Sequence, residues 1–217
     1  RDNWGIYFFI QNLNSKEYWS ATEQPCGIAP EEYEVIFEPD KATYIRKDGS
    51  IETKTEVVVS PEHNVEIRRL TLTNNSEYGR VLEITSYFEP IMISQQDDIA
   101  HPAFCNLFVQ TEFIEEHKIL LATRRIRDKR QKKIWVAHSL MLEGEGIGSI
   151  QYETSRVKFI GRGRDLDNPR AMDVEQPLSN TVGSVLDPIM SLRQRVGIRP
   201  GKSARISFII AVADTRE

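Results

Sequence analysis

The chain has 217 residues, of which 40% are hydrophobic, 28% are charged, 12 are glycine and 10 are proline. This composition excludes disordered, collagen-like and low-complexity proteins, and the length is sufficient for one large all-β domain or two small domains. The net charge of −4 argues against a nucleic-acid partner, because domains that bind nucleic acid are usually basic.

Alternating apolar and polar residues dominate the first part of the chain. The run 32–38 (EYEVIFE) has a period of two and predicts a strand with one exposed face. Residues 42–47 and 51–59 flank Asp48 and Gly49, which predicts a β-hairpin with a tight turn.

The next run, 65–75 (VEIRRLTLTNN), changes its apolar phase from odd to even positions. A one-residue shift inside a strand predicts a β-bulge, here at Arg68 and Arg69. The basic stretch 118–133 holds eight Lys or Arg and one Asp, and we interpret it as the solvated end of a hairpin. Further strands are predicted at residues 104–114, 118–126, 134–142 and 204–212.

Residues 161–190 break this strand pattern after a strand-like run, VKFI, at 157–160. A loop-like insert of about 30 residues is unusual in a compact domain and is more often functional than accidental. In the strand that follows, apolar residues face one way and Arg193, Arg195 and Arg199 face the other. The predicted architecture is one all-β domain of two stacked antiparallel sheets with little helix.

Catalytic motifs are missing from the sequence. The run GRGRDL at 161–166 has Leu166 where the dinucleotide fingerprint needs its third glycine. The four histidines lack metal-ligand spacing, and His138 lies on an apolar register that indicates a core histidine. We therefore predict no metal and no cofactor. Cys26 and Cys105 lack a C-x-x-C context and are interpreted as plain thiols, and the sequence leaves open whether they pair.

Several loop residues are of the types that bind sugars, which need aromatic faces for stacking and planar polar groups for hydroxyls. Aromatic and charged residues of this kind near predicted turns are Trp4, Tyr18, Trp19, Arg162, Arg164, Asp165 and Asp167. Each of them has a structural alternative, because Trp and Tyr also anchor sandwich cores. We predict a carbohydrate-binding site formed by Trp19, Arg162, Arg164, Asp165 and Asp167.

No apolar run approaches the roughly 20 residues of a membrane-spanning helix, so we expect no direct membrane insertion by this chain. Residue 1 is Arg and not Met, and no signal peptide precedes it. We therefore expect the chain to be a fragment of a longer protein.

Long runs of the sequence resemble one known family. The chain is similar to the β-sandwich domain of the cellobiose and chitobiose phosphorylase family, and within it to the version found in cyclic β-1,2-glucan synthases. The resemblance covers nearly the whole chain and is carried by the runs at 18–26 (YWSATEQPC), 33–76, 84–92 (ITSYFEPIM), 100–113 (AHPAFCNLFVQTEF), 159–169 (FIGRGRDLDNP) and 177–217.

The resemblance implies a supersandwich fold similar to galactose mutarotase-like carbohydrate-binding domains, with residues 1–217 as a single domain of a larger multidomain enzyme. In that family a helical linker and an (α/α)₆ barrel follow, and the barrel carries the catalytic acid. No family catalytic residue maps onto this sequence. The implied partners are that barrel, a glucan or oligosaccharide, and a second copy in a homodimer. The implied location is the cytoplasmic side of an inner-membrane parent protein.

Two function classes follow. The first is a non-catalytic carbohydrate-binding accessory domain of a glycosyltransferase or glycoside phosphorylase that acts on β-linked glucans, as in cyclic β-1,2-glucan synthesis. The alternative is a structural dimerisation or docking module without sugar affinity. A third class, an independent mutarotase-like enzyme, would need a histidine and a carboxylate to act as acid and base, and nothing in the sequence brings them together.

Two structural expectations accompany these classes. We expect residues 161–176, led by Arg162, Arg164 and Asp165, to face the active-site side of the parent enzyme and not to close the sandwich. The alternative is a surface loop whose arginines pair with Asp165 and Asp167. The residues expected to be largely buried are Val35, Leu70, Leu72, Ile84, Ile206, Phe208 and Ile210.

Overall fold

The computed structural model describes residues 5–101, 104, 106–126 and 133–216, and its strands form two sheets. The smaller sheet consists of β1 (Tyr7–Asn12), β2 (Tyr18–Ser20), β7 (Arg80–Tyr87), β11 (Glu145–Ser155) and β13 (Pro188–Ile198). The larger sheet consists of β3 (Glu32–Phe37), β4 (Ala42–Asp48), β5 (Ile51–Val59), β6 (Val65–Asn74), β8 (Val109–Ile114), β9 (Ile119–Arg124), β10 (Trp135–Glu143), β12 (Gly183–Ser184) and β14 (Ser203–Ala213).

The strand order is β11-β13-β7-β1-β2 in the five-stranded sheet and β12-β8-β9-β10-β14-β6-β5-β4-β3 in the nine-stranded sheet. Neighbouring strands are antiparallel in both sheets. Helical structure in the described ranges consists of α1 (Gln95–Ala100), α2 (Arg156–Ile160), a 3₁₀ turn (Arg170–Met172) and the helical residues Phe104 and Asn106. The predicted all-β antiparallel sandwich with little helix is confirmed. None of the described helices is long and apolar enough to cross a membrane.

The main core lies between the inner faces of the two sheets, which are the faces that point at each other. Five residues predicted to be buried, Leu70, Leu72, Ile84, Ile206 and Phe208, belong to it and are at most 1% exposed. Ile210 packs against this core but is only partly buried. The prediction for Val35 is wrong, because this residue of β3 is 38% exposed.

β3 is exposed along its whole length, although its alternating sequence predicts one buried face. It is the edge strand of the nine-stranded sheet, and the main core includes Ile51 of β5 but no residue of β3 or β4. The larger sheet therefore extends beyond the smaller one. Residues of β3 that point to the inner side, such as Phe37 at 77% exposure, have no second sheet over them.

The hairpin predicted around Asp48 and Gly49 is confirmed, since β4 and β5 pair with Asp48 opposite Ile51. Gly49 has a φ of 55°, which glycine adopts without a steric cost. The β-bulge predicted at Arg68 and Arg69 is wrong.

β6 pairs with both of its neighbours in unbroken register across those two arginines. Its even positions all point to the inner side, and Arg68 occupies one of them near the open end of the sandwich. There the Arg68 guanidinium donates hydrogen bonds to Glu66 and to the carbonyl of Ile6. The change of apolar phase thus reflects polar residues at the mouth of the core and not an extra residue in the strand.

Residues 161–178 of the insert pack on the outer face of the five-stranded sheet, whereas Gly183 and Ser184 form β12 at the edge of the nine-stranded sheet and residues 188–190 begin β13. A second apolar cluster forms between the five-stranded sheet and the segment 159–178. Its members are Tyr7, Phe9, Tyr87, Phe159, Ile160, Ala171, Met172, Leu178 and Ile189. The VKFI run predicted as strand-like belongs to helix α2, and this correction matters because its Phe159 and Ile160 are buried in that cluster.

Candidate functional site

Trp19 lies in β2 with its indole in the main core, and it is 5% exposed. A ring this buried presents no free face on which a sugar can stack, so its contribution is packing between the sheets. Tyr18, the preceding residue, points to the opposite side of the strand because successive side chains alternate. Trp4 and Cys105 lie outside the described residues.

Tyr18 brings together two parts of the chain that are distant in sequence. Its hydroxyl donates to the carbonyl oxygen of Asp167 at 3.2 Å and lies 3.3 Å from Oδ1 of Asn168. Burial is the main cause of the raised pKa of this hydroxyl, and the charges of Cys26 and Asp167 add to it. The phenol therefore stays a neutral donor that holds the first part of the insert against β2.

Three charged residues of the insert, Arg164, Asp167 and Asp173, lie near this tyrosine. Arg164 forms an ion pair with Asp173, with 2.6 Å between Nη1 and Oδ1. Arg162, Asp165 and Asp167 are exposed, and in the described ranges no side-chain hydrogen bond or ion pair engages them. The expected pairing of the insert arginines with Asp165 or Asp167 is therefore absent from the described structure, because Arg164 turns to Asp173.

Two glycines shape the start of the insert. Gly161 has a φ of 88°, and an added Cβ would lie 2.8 Å from Cβ of Arg170. Gly163 has a φ of 72° with open space around it. The chain can therefore turn sharply here and expose Arg162 while the adjacent segment stays packed on the sheet.

We call Tyr18, Arg162, Arg164, Asp165 and Asp167 the insert cluster.

Arg193 anchors the insert from below, and this role was not apparent in the sequence. It is 1% exposed and donates to the carbonyls of Ala171 and Gln176 and to the hydroxyl of Thr85. Its charge is balanced by Glu83 at 3.2 Å. Burial lowers the pKa of Arg193 to about 10, so the guanidinium remains charged at neutral pH. The sequence signal was an arginine on the outward phase of a strand, which normally indicates a solvated face.

A second polar group missed by sequence reasoning lies at the end of the sandwich. Glu89 accepts hydrogen bonds from the hydroxyl of Tyr87 at 2.6 Å and from Nε of Arg156 at 3.1 Å. Arg156 also approaches Asp187, with 3.7 Å between Nη1 and Oδ2. Tyr87 and Glu89 border a cavity of about 390 Å³ that Arg68 also lines. Every charge in the group is paired. We therefore interpret the arrangement as a structural network at the end of the sandwich and not as a set of free catalytic groups.

His138 is fully buried, as predicted for a core histidine, and both of its ring nitrogens have partners. Nδ1 lies 3.1 Å from the carbonyl of Ile209, and Nε2 lies 2.8 Å from the hydroxyl of Ser86. Burial lowers the pKa of His138 to about 4, so the ring is neutral at pH 7. Within the described ranges, no three His, Cys, Asp or Glu residues are grouped so that they would hold a metal ion.

Comparison with known proteins adds the family. Residues 1–217 match the family described as "Glycosyl hydrolase 94, supersandwich domain". The chain is 33% identical over 216 residues to the cyclic beta-(1,2)-glucan synthase NdvB of Rhizobium meliloti (strain 1021), covering 100% of this chain and 8% of that protein. It is 23% identical to the solabiose phosphorylase of Paenibacillus borealis, covering 97% of this chain and 26% of that protein.

Among solved structures, a bacterial glucoamylase complexed with acarbose is similar with a TM-score of 0.57 and 10% identity, covering 97% of this chain and 27% of that chain. This likeness concerns the fold alone. The chain spans about a tenth and about a quarter of the two curated relatives that it matches. The profile match over its full length and the 33% identity give the same assignment: the chain belongs to the glycosyl hydrolase 94 supersandwich family.

Proposed function

We propose that this chain is a non-catalytic, carbohydrate-binding accessory domain of a larger enzyme that transfers or phosphorolyses β-linked glucosyl units, as in cyclic β-1,2-glucan synthesis. The parent would supply an (α/α)₆ catalytic barrel, and this part of it would lie on the cytoplasmic side of the inner membrane. The family assignment and the names of both relatives support a carbohydrate-related role.

The observation that carries the proposal is the exposed half of the insert cluster. Arg162, Asp165 and Asp167 present donors and acceptors to solvent from a segment whose other half is fixed by Arg193 and by the second apolar cluster. Guanidinium and carboxylate groups suit sugar hydroxyls, and a rigid base lowers the entropy lost on binding. We further propose that this segment faces the catalytic site of the parent.

The direct test is a titration of the 217-residue chain with a linear β-1,2-gluco-oligosaccharide, followed by NMR chemical shifts. We expect saturable shifts at residues 161–168 at millimolar sugar. Arg162→Ala should weaken binding at least about tenfold with an unchanged Tm, because Arg162 is exposed and contributes no contact to the fold.

Arg199→Ala is the matched control, since the Arg199 side chain is 82% exposed and follows the end of β13 that is opposite to the insert. It should bind like the wild type. In the full-length parent, Arg162→Ala should lower transfer or phosphorolysis at least about tenfold. If that variant binds sugar and acts like the wild type, or if its loss of activity is explained by unfolding, the insert has a purely structural role.

A docking or dimerisation module without sugar affinity is the second candidate, and the uncovered side of β3 favours it. Phe37 is 77% exposed and Val59 of β5 is 63% exposed, on a sheet face that the smaller sheet does not reach. Sedimentation of the chain with and without Phe37→Lys separates the two functions. Association that is lost in the variant, together with no sugar-induced shifts, would support the docking function.

A further inference from the structure

A groove on the outer face of the nine-stranded sheet is built around Trp135. Trp135 begins β10 and lies opposite Thr123 of β9 on one side and Ala213 of β14 on the other. Neither neighbour carries a large side chain, so the indole stands above the sheet with space beside it. The groove has a volume of about 500 Å³, within the ~300–1,000 Å³ typical of small-molecule sites.

Polar groups on both sides of the indole complete the groove. Arg216 donates two hydrogen bonds to Glu112, at 2.8 and 3.0 Å, and its guanidinium lies 6.0 Å from the centre of the Trp135 ring. The ammonium of Lys133 lies 4.5 Å from the same ring centre. Gln110 and Ser184 line the far wall. An aromatic face, an amide and a planar pair of opposite charges thus converge on one depression.

We propose that this groove binds a neutral β-linked oligosaccharide. One pyranose ring would stack on the indole of Trp135 in place of the Lys133 ammonium, which is a flexible and exposed group. Its hydroxyls would donate to Glu112 and accept from Arg216 and Gln110. This site is separate from the insert cluster, because the first part of the insert packs on the outer face of the other sheet, while Ser184 near its end pairs with Gln110 of β8 beside the groove.

The paired charges of Glu112 and Arg216 favour a neutral sugar, while the Lys133 ammonium adds a positive charge to the groove, so inorganic phosphate is the competing ligand to test. Glu112 and Arg216 hold each other in a bidentate pair, so their charges cancel while their free lone pair and N–H groups remain available. A carboxylate on the wall repels a phosphate or a second carboxylate. The side chains of Glu112 and Arg216 are 41% and 55% exposed, so a ligand reaches them without opening the fold.

The experiment follows the indole N–H signal of Trp135 in the 217-residue chain, assigned by its absence in Trp135→Phe. We expect a saturable shift with a linear β-1,2-gluco-oligosaccharide at millimolar concentration and none with inorganic phosphate. Trp135→Ala and Glu112→Gln should each weaken this binding at least about tenfold. Met141→Ala is the matched control, because Met141 lies on the same face of β10 and is 65% exposed. It should leave the affinity unchanged.

Four outcomes would overturn the proposal. Wild-type sugar affinity in a folded Trp135→Ala variant would show that the indole takes no part. A shift produced equally by inorganic phosphate would identify an anion site instead. In the full-length protein, the Trp135 indole could be inaccessible both to sugar and to a soluble fluorescence quencher. That result would identify the groove as a contact between domains. Sugar shifts confined to residues 161–168 would support the insert cluster while refuting this second site.

Discussion

His138 connects the two sheets through a single side chain. It belongs to β10 of the larger sheet, and its Nε2 accepts from the hydroxyl of Ser86 in β7 of the smaller sheet. Its Nδ1 donates to the carbonyl of Ile209 in the neighbouring strand, which fixes the neutral tautomer. A proton added to Nε2 would reverse the donor and acceptor roles in its contact with Ser86 and place a charge in the core.

The stability of the fold should therefore depend on pH through this residue. The pKa of His138 is lowered by burial to about 4 from 6.5, so the unfolded chain binds a proton between these values while the folded chain does not. The contribution of neutral His138 to the free energy of unfolding is complete above pH 6.5 and falls as the pH drops towards 4. It amounts to about 3 kcal/mol in total. Urea unfolding of the wild type and of His138→Gln at several pH values measures it.

We expect the variant to lose that part of the pH dependence, whatever its absolute stability. His63→Gln serves as the control, because His63 is exposed and should leave the pH dependence as in the wild type. Parallel pH profiles for wild type and His138→Gln would contradict the assignment.

At the scale of elements, Arg193 supplies buried polar contacts between the insert and the smaller sheet. Arg193 of β13 joins the carbonyls of Ala171 and Gln176 to Glu83 of β7, all on the outer face of the smaller sheet. Gln11 of β1 adds a hydrogen bond to the carbonyl of Met172. The insert thus acts as a third layer, which explains why every residue of β1 is buried.

Arg193→Met should release this layer. Removal of the guanidinium leaves Glu83 buried beside Arg195 alone, and breaking a buried ion pair typically costs about 3–5 kcal/mol. Hydrogen exchange at residues 170–178 should become markedly faster than in the wild type. Arg199→Met, at an exposed pair 3.9 Å from Glu145, should change stability by less than about 0.5 kcal/mol. Unchanged exchange at 170–178 in Arg193→Met would mean that apolar packing alone holds the insert.

At the scale of the whole molecule, the two sheets differ in width, and the sandwich ends at β5. Beyond it, a loop that contains Thr22 and Ile28 covers the inner side of β4. The buried Arg46 of β4 holds this loop by donating hydrogen bonds to the carbonyls of those two residues. β3 is exposed along its whole length, although Tyr33 approaches the backbone of Glu23 in the same loop. The uncovered strip gives the larger sheet an apolar margin that other parts of a longer protein, or a second copy, can contact.

This unequal width predicts different costs for two similar substitutions on the inner side of the same sheet. Leu72→Ala should cost about 2–5 kcal/mol, because Leu72 is 0% exposed in the main core. Phe37→Ser should cost less than about 1 kcal/mol, because the ring contributes little to the core at the edge strand. Urea unfolding of the two variants gives the comparison. A large loss in Phe37→Ser would show that β3 is covered in solution.

Local patterns determined much of this fold. The period of two predicts most strands, and Asp48-Gly49 predicts its hairpin, since these signals depend only on neighbouring residues. The VKFI run is an exception, because a short apolar run fits a buried helix as well as a strand. The sequence also indicated the polar residues of the insert, but it did not indicate which aromatic ring they contact. Tyr18 and Trp19 differ by one position, and the pairing register alone decides which of them faces the insert.

The sequence by itself determined an all-β sandwich, a long insert between two strands and, through its resemblance, the family. Only the tertiary structure decided which side chains are buried on those sheet faces that a distant segment of the chain covers or leaves uncovered. Arg193 is buried because the insert folds over it, and Val35 is exposed because the smaller sheet ends short of it. Trp135 is half-buried beside the Lys133 ammonium because its neighbours across the sheet are small. Burial depends on what a third segment does, and alternation within one strand carries no information about that segment.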